Sequence, residues 1–370
     1  MPSDSQNVSE LLPDAPFNLG GGLSTDTGRE LFQPLDMHER FRNHVIDNRL
    51  RGVAIFPLGG PVGIGRTWTL AWLARLAREE NENLSPEFDE RWEAALVPGL
   101  GDGQIRDLYE SIFTSTEHLR SEAKNELSDG HLDQISGKGR EGILNHAVMN
   151  RESWAVLTGD RGRFPSIDGI SEKPKWTQRD VQEDFLRLWL RKLHDLGVDN
   201  LLILIDEFET TVTRLSQNKM TDFSDGLRRL YDIMEEEDSE IPNVQVILSA
   251  TTQAVNKIDA SMSSQELPGW LTALQSRMVR GFTLSKIKEE EAKKIARNCI
   301  DYRRTEDVDD PYLPYSEEAV EVAFEACDGL TRRFGQILNE MYIMSYTDSI
   351  IGEETAKEAA EYLGYDLRRS

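Results

Sequence analysis

Residues 53 to 67 read Val-Ala-Ile-Phe-Pro-Leu-Gly-Gly-Pro-Val-Gly-Ile-Gly-Arg-Thr. A short apolar run leads into a loop with glycine at 60, 63 and 65. After it, Thr67 to Arg78 carries Leu70, Leu73, Ala74 and Leu76 at helical spacing. Strand, glycine loop and helix in that order constrain this chain more than any other feature. Glycines let the backbone wrap closely around an anion, its N–H groups point inward, and the following helix aims its positive end at the same place. The pattern is G-x-x-x-x-G-K-[ST] with arginine in the lysine position. It implies a nucleoside triphosphate, bound by Gly60, Pro61, Val62, Gly63, Ile64, Gly65, Arg66, Thr67 and Trp68, with the Thr67 hydroxyl as a Mg²⁺ ligand.

Arg66 is the departure from the pattern. Lysine is a compact point charge between the β- and γ-phosphates, whereas a guanidinium is larger and planar. It can pair with phosphate oxygens bidentately, but it displaces the γ-phosphate from the position needed for attack. Binding is therefore expected to survive better than hydrolysis.

A second motif lies far downstream. Leu201-Leu202-Ile203-Leu204-Ile205 is continuously apolar and ends in Asp206-Glu207. Such a run suits a strand buried on both faces, as in a parallel sheet. The acids suit a Walker B motif: Asp206 holds Mg²⁺ through water, and Glu207 polarises the attacking water. A strand that merely ends in two acids is the alternative, and the upstream glycine loop decides against it. Glu209 reads as a solvated charge.

Composition bounds the partners. Among 370 residues, 66 acids outnumber 42 bases, a formal net charge of -24. Such a surface repels nucleic acid unless a basic patch overrides it. The acid is spread along the chain, which suits adaptation to high salt; a simply acidic cytoplasmic protein is the other explanation. Two cysteines, Cys299 and Cys327, and six scattered histidines make neither a disulfide framework nor a metal site. The N-terminus has no apolar core of a signal peptide, and the longest aliphatic run, 201 to 205, is too short to span a bilayer. The expectation is a cytoplasmic protein with no membrane segment.

The organisation follows from the pattern. Residues 1 to 30, with Gly20-Gly21-Gly22, read as a flexible N-terminal arm. Residues 31 to 284 read as an α/β nucleotide-binding core, and 285 to 370 as helical throughout. Within the core, about 100 to 175 is expected to be an insertion. Residues 125 to 175, rich in Gly, Asp, Ser and Arg, read as irregular, with Trp154-Ala155-Val156-Leu157 as a strand. Thr177-Gln178-Arg179-Asp180 reads as a capping box. Arg161, Arg163, Lys173, Lys175 and Arg179 cluster around Phe164 and Trp176, which suits either phosphates with aromatic help or a solvated loop.

The order of these motifs resembles the AAA+ ATPase superfamily, in particular its initiator-like branch of origin-recognition ATPases. The resemblance runs over about residues 35 to 365 and implies a three-layer core with a parallel sheet and a small C-terminal all-α lid. It implies a γ-phosphate sensor at Thr251, with Thr252 second; a plain turn is equally compatible. It implies an arginine finger at Arg277, with Arg280 second, offered to a neighbouring subunit; a surface arginine is the alternative. Gly329-Leu330-Thr331-Arg332-Arg333 resembles the lid motif in which an arginine, here Arg332, reaches the β/γ-phosphates. The chain ends soon after, so a winged-helix DNA-binding domain is not expected.

The resemblance implies an ATPase, slowed by Arg66, that self-associates and serves as a switch or assembly subunit in a DNA-handling system such as replication, DNA modification or antiviral defence. It would reach DNA through protein partners. A non-hydrolysing, ATP-stabilised scaffold is the competing class, and a signal-transducing switch ATPase the third.

Overall fold

Every residue of Val53–Gly60, the strand that leads into the glycine loop, is buried. A computed structural model describes residues 8–12, 32, 34–99, 105–129, 139–159, 164, 175–176, 178–209, 217–236, 240–254, 278–306, 308–348 and 350–365. Its strands are β1 Val53–Gly60, β2 Trp92–Val97, β3 Asn200–Ile205, β4 Asn243–Thr251 and β5 Phe282–Thr283. Its first helices are α1 Val8–Leu11, α2 Asp36–Asn48, α3 Arg66–Glu79, α4 Ile105–Ser115, α5 Glu117–Asp129, α6 Arg140–Met149 and α7 Arg151–Leu157. Further on come α8 Arg179–Asp195, α9 Gln217–Glu236, α10 Glu289–Arg303, α11 Glu317–Cys327, α12 Thr331–Met344 and α13 Glu353–Tyr362, and a single helical turn, Asn81–Leu84, lies between α3 and β2.

The strands form one parallel sheet in the order β2-β3-β4-β1-β5. Trp92 pairs with Asn200 and Val97 with Ile205; Asn200 pairs with Asn243 and Ile205 with Leu248. Parallel neighbours need crossovers, which the helices supply. β3 is buried along its whole length, as its unbroken aliphatic run requires. The architecture is a three-layer α/β core with a C-terminal all-α region. No helix among the described residues is long and apolar enough to cross a membrane.

Contacts divide the chain into two compact units. One contains Phe41–Gly59 and Leu73–Phe282; the other contains Met1–Arg40, Gly60–Trp72 and Thr283–Ser370. The glycine loop thus groups with the C-terminal helices.

In the sheet-bearing unit, two expectations fail. Much of the segment expected to be irregular is helical, as α6 and α7, and Trp154 to Leu157 lies in α7 rather than in a strand. The Asn150 side chain caps α7 by accepting from the Glu152 and Ser153 amides at 2.9 and 3.3 Å. Ser153, Trp154, Val156 and Leu157 are buried, a three-residue return that fits a helix better than alternation. Aromatic rings explain the order. Phe113 stacks on Trp189 at 6.1 Å, Trp154 meets Trp189 edge-on at 5.0 Å, and Trp176 lies 5.9 Å from Phe185. Trp189 Nε1 donates to Thr116 Oγ1 at 2.9 Å.

Phe164 and Trp176 are 3 % and 0 % exposed, so neither can stack on a nucleic-acid base. Arg179 is paired with Glu183 at 2.9 Å; Arg161, Arg163 and Lys173 lie outside the described residues. The expected capping box rests on Thr177, which lies outside the described residues; α8 begins at Arg179 after Gln178, which makes no side-chain cap. Trp189→Ala is expected to lower unfolding free energy by about 3–5 kcal/mol, read from urea titration.

In the other unit, α10 to α13 build the all-α region. Ser316 caps α11 by accepting from the Ala319 amide at 3.1 Å. The Lys293 ammonium joins α10 to α11, pairing with Glu289, Glu317 and Glu321 at 3.1, 3.0 and 2.6 Å. Within the segment expected to be an arm, Val8, Leu11 and Leu12 are buried. The Leu11 carbonyl accepts from the Thr305 amide at 3.1 Å, and the Leu12 carbonyl from the Tyr342 hydroxyl at 2.8 Å.

His38 is 3 % exposed. Its Nδ1 accepts the Leu35 amide at 2.9 Å, and Phe32 and Trp72 flank the ring at 5.0 and 5.8 Å. Burial pushes its pKa down from 6.5 to about 4. A base whose folded pKa is depressed contributes stability above its unfolded pKa and loses it as pH falls toward the folded value. The loss between pH 6.5 and 4 is about 3 kcal/mol. His38→Asn should show a correspondingly shallower decline in unfolding free energy over that window.

Candidate nucleotide site

The loop is shaped by its glycines. Gly63 and Gly65 have φ of +85° and +97°, where a Cβ meets the backbone. The Ile64 amide donates to the Pro61 carbonyl at 3.3 Å, tightening the turn. α3 begins at Arg66, and the Gly65 carbonyl accepts from both the amide and the hydroxyl of Thr69, at 2.9 and 3.0 Å. The first-turn amides of α3 therefore start at the loop, as an anion site needs. Arg66 Nη1 donates to the Gly60 carbonyl at 2.8 Å, so the guanidinium closes the loop onto its first glycine. Thr67 is exposed and Trp68 half-buried, with Phe32 stacked on Trp68 at 6.1 Å.

The C-terminal helices reach the same loop. The Gly63 carbonyl accepts from Thr331 Oγ1 and from the Arg332 amide, both at 2.9 Å. α12 has Leu330 as its N-cap, with no side-chain cap, so the loop carbonyl satisfies one of its first-turn amides. Arg332 is exposed; Arg333 lies over the Tyr365 ring at 5.1 Å.

In the sheet-bearing unit, the Asp206 amide donates to the Val97 carbonyl at 3.0 Å, carrying the β2–β3 pairing one residue further. Asp206 is 9 % exposed, and its Oδ1 accepts the Glu207 amide at 2.9 Å. That bond accompanies an unusual backbone: Glu207 has φ +48°, a conformation that costs a non-glycine residue about 1–3 kcal/mol. The result is an exposed carboxylate held immediately after a buried one. Thr251 ends β4, and its Oγ1 accepts the Ala254 amide at 3.2 Å, which leaves the hydroxyl proton to donate elsewhere.

Neither a protein-family model nor a curated relative matches the sequence. Solved structures do. The Aeropyrum pernix ORC2 protein in its ADPNP–ADP complexes is 15% identical, with 95% of this chain and 72% of that one covered and a TM-score of 0.53. Its ADP form gives 15% identity, 90% and 72% coverage and a TM-score of 0.51. The chain has an AAA+ P-loop-like fold. The Thermotoga maritima RuvB Holliday junction branch migration motor matches at 13% identity and a TM-score of 0.35, over 90% of this chain and 70% of that one.

In this fold, strand ends deliver the residues singled out by sequence: the loop follows β1, Asp206 and Glu207 follow β3, and Thr251 closes β4. Arg277 lies outside the described residues. Arg280 is exposed, and its carbonyl accepts from His44 Nε2 at 3.1 Å. The residues fit the ligands expected of them. The loop presents a glycine cradle with φ values only glycine takes readily. Thr67, at the loop, and Asp206, at the end of β3, are each hard oxygen donors of the kind Mg²⁺ takes, with phosphates and water completing its shell. Among the described residues, no group of three or more His, Cys, Asp or Glu could hold a metal, and this mode of binding needs none.

Two residues went unnoticed in the sequence. Thr331 touches the loop directly, but it sits beside the more conspicuous Arg332. Gly99, just beyond β2, would place a Cβ 3.4 Å from Glu207 Cβ; only the β2–β3 register brings them together.

Proposed function

We propose that the chain is a cytoplasmic ATPase that hydrolyses ATP slowly and acts as a nucleotide-dependent switch or assembly subunit in a DNA-handling system. The observation that carries this reading is the glycine loop, set between β1 and α3 with Gly63 and Gly65 at positive φ and the start of α12 bonded to it. Loop amides and the α3 N-terminus take the phosphates. Thr67 and Asp206 hold Mg²⁺, which when bound neutralises charge on the β- and γ-phosphate oxygens. Glu207 orients the attacking water, Thr251 senses the γ-phosphate, and Arg332 contributes positive charge beside it. Arg277 serves a neighbouring copy's nucleotide, so the protein self-associates. The likeness to ORC2, whose solved forms carry ADPNP and ADP, supports nucleotide binding. The DNA-handling role rests on the initiator-like order of motifs. With a net charge of -24, access to DNA runs through protein partners.

A second reading, the ATP-stabilised scaffold, is favoured by the Arg66–Gly60 contact, which directs a guanidinium nitrogen at the loop's own carbonyl. Nucleotide titration and ATP turnover of the wild type and Arg66→Lys separate the two. The ATPase reading expects ATP binding in both and faster turnover in Arg66→Lys, on the order of ten-fold, the size of a sub-ångström correction in placing a reacting group. Binding with no turnover in either protein supports the scaffold. No binding of ATP at all refutes both.

A further inference from the structure

We propose that Thr331 is a positioning residue: it latches the N-terminus of α12 to the phosphate loop through the Gly63 carbonyl, so that loop and helix respond to nucleotide together. The inference rests on the nucleotide-binding reading of the loop and deepens it.

The Gly63 carbonyl receives two donors from consecutive residues, the Thr331 hydroxyl and the Arg332 amide, each at 2.9 Å. A helix N-terminus leaves its first amides without intrahelical partners, and a side chain at the N-cap ordinarily serves them. Here the N-cap is Leu330, which cannot. The loop carbonyl takes that place from a segment far away in sequence. Its negative end also faces the positive end of α12, a favourable arrangement of dipoles.

The close approach requires Gly63 itself. A Cβ there would lie 3.1 Å from Arg332 Cβ, and one on Gly65 would lie 3.4 Å from Thr331 Oγ1. The loop's backbone and the first turn of α12 are therefore in direct contact, with no side chain between them. Any change in the Gly63–Ile64 peptide when phosphate binds must alter the hydrogen bonds of Thr331 and Arg332. Conversely, Thr331 restrains that peptide before nucleotide arrives and sets the backbone from which the Arg332 side chain extends.

Hydrogen exchange of the intact chain tests the latch, first without nucleotide and then with ADP or a non-hydrolysable ATP analogue. Thr331→Val keeps the shape and removes the hydroxyl; Thr331→Ser restores it. Without nucleotide, Thr331→Val is expected to speed exchange of amides 62 to 69 and 332 to 334 about five-fold, the effect of one lost hydrogen bond, and Thr331→Ser to return it to wild type. With nucleotide, Thr331→Val should weaken analogue binding in the same direction as Arg332→Ala, and the double variant should fall short of the sum. Unchanged exchange in Thr331→Val overturns the latch. Faster exchange with unchanged nucleotide affinity, while Arg332→Ala weakens binding, overturns its positioning role and leaves the nucleotide reading intact. If the wild type takes up neither nucleotide, the reading of the loop fails, and the role of the latch in it fails with it.

Discussion

Glu207→Gln is expected to lower ATP turnover by about 10²–10⁴-fold, the usual contribution of a general base. ATP affinity should stay within about three-fold of wild type, because the substitution removes a charge without touching the phosphate loop. The proposed role of Glu207 as the base is supported by its setting. Glu207 follows a fully buried strand, so its position is set by the sheet rather than by a flexible loop. Its backbone sits at φ +48°, and the Asp206 carboxylate holds the amide of this turn at 2.9 Å. Strain of this kind persists only where surrounding structure imposes it, and it is commonest at functional sites. Glutamine preserves shape and the backbone turn but cannot take a proton. The assay belongs with the wild type side by side, with and without DNA, at low and high salt. Stimulation of the wild type by DNA would run against the charge argument for indirect DNA access. Equal turnover in the two proteins would remove Glu207 from the reaction.

Gly63→Ala is expected to weaken nucleotide binding by about 30- to 1,000-fold. The figure combines the cost of a non-glycine residue at positive φ, about 1–2 kcal/mol, with loss of one or two hydrogen bonds at about 1 kcal/mol each. Position 63 is one of the unspecified residues of the G-x-x-x-x-G pattern, so the motif alone does not require glycine there. Two features of the structure do: φ of +85° and the 3.1 Å separation that a Cβ would have from Arg332 Cβ. Relief needs the first turn of α12 to give by a few tenths of an ångström, which weakens the contacts of Thr331 and Arg332 with the loop. Isothermal titration with ATP measures the loss, and thermal unfolding without nucleotide shows whether the variant remains folded. Wild-type affinity in a folded Gly63→Ala protein would show that neither the loop conformation nor its contact with α12 matters for binding.

Much of the core was legible because it rests on local periodicity. An unbroken aliphatic run at 201 to 205 has few uses besides a strand covered on both faces, and the order of strand, glycine loop and helix at 53 to 78 leaves little freedom. The segment from 125 to 175 reads as irregular because its composition is polar and glycine-rich, and the helices within it, α6 and α7, are short. α7 has seven residues, too few for a periodic signal, and its order comes from rings contributed by distant elements: Phe113 from α4 and Trp189 from α8. Phe164 and Trp176 were read beside the basic residues next to them in sequence, although burial removes their faces from any ligand.

The chain's own order of residues determined the glycine-loop pattern on which the proposed ligand class rests, the acid pair and the α/β architecture, since each depends on residues adjacent along the backbone or on a repeat of two or three to four positions. Tertiary structure decided which of those residues touch. The bond from Thr331 to Gly63 spans 268 positions, and the approach of Gly99 to Glu207 depends on strand register. Contacts of that kind arise from the packing of a whole domain, and no local pattern encodes them. Gly60 to Thr67 carries in sequence the glycine pattern of a phosphate loop; only the fold makes the Gly63 carbonyl a cap for a helix that begins at Thr331.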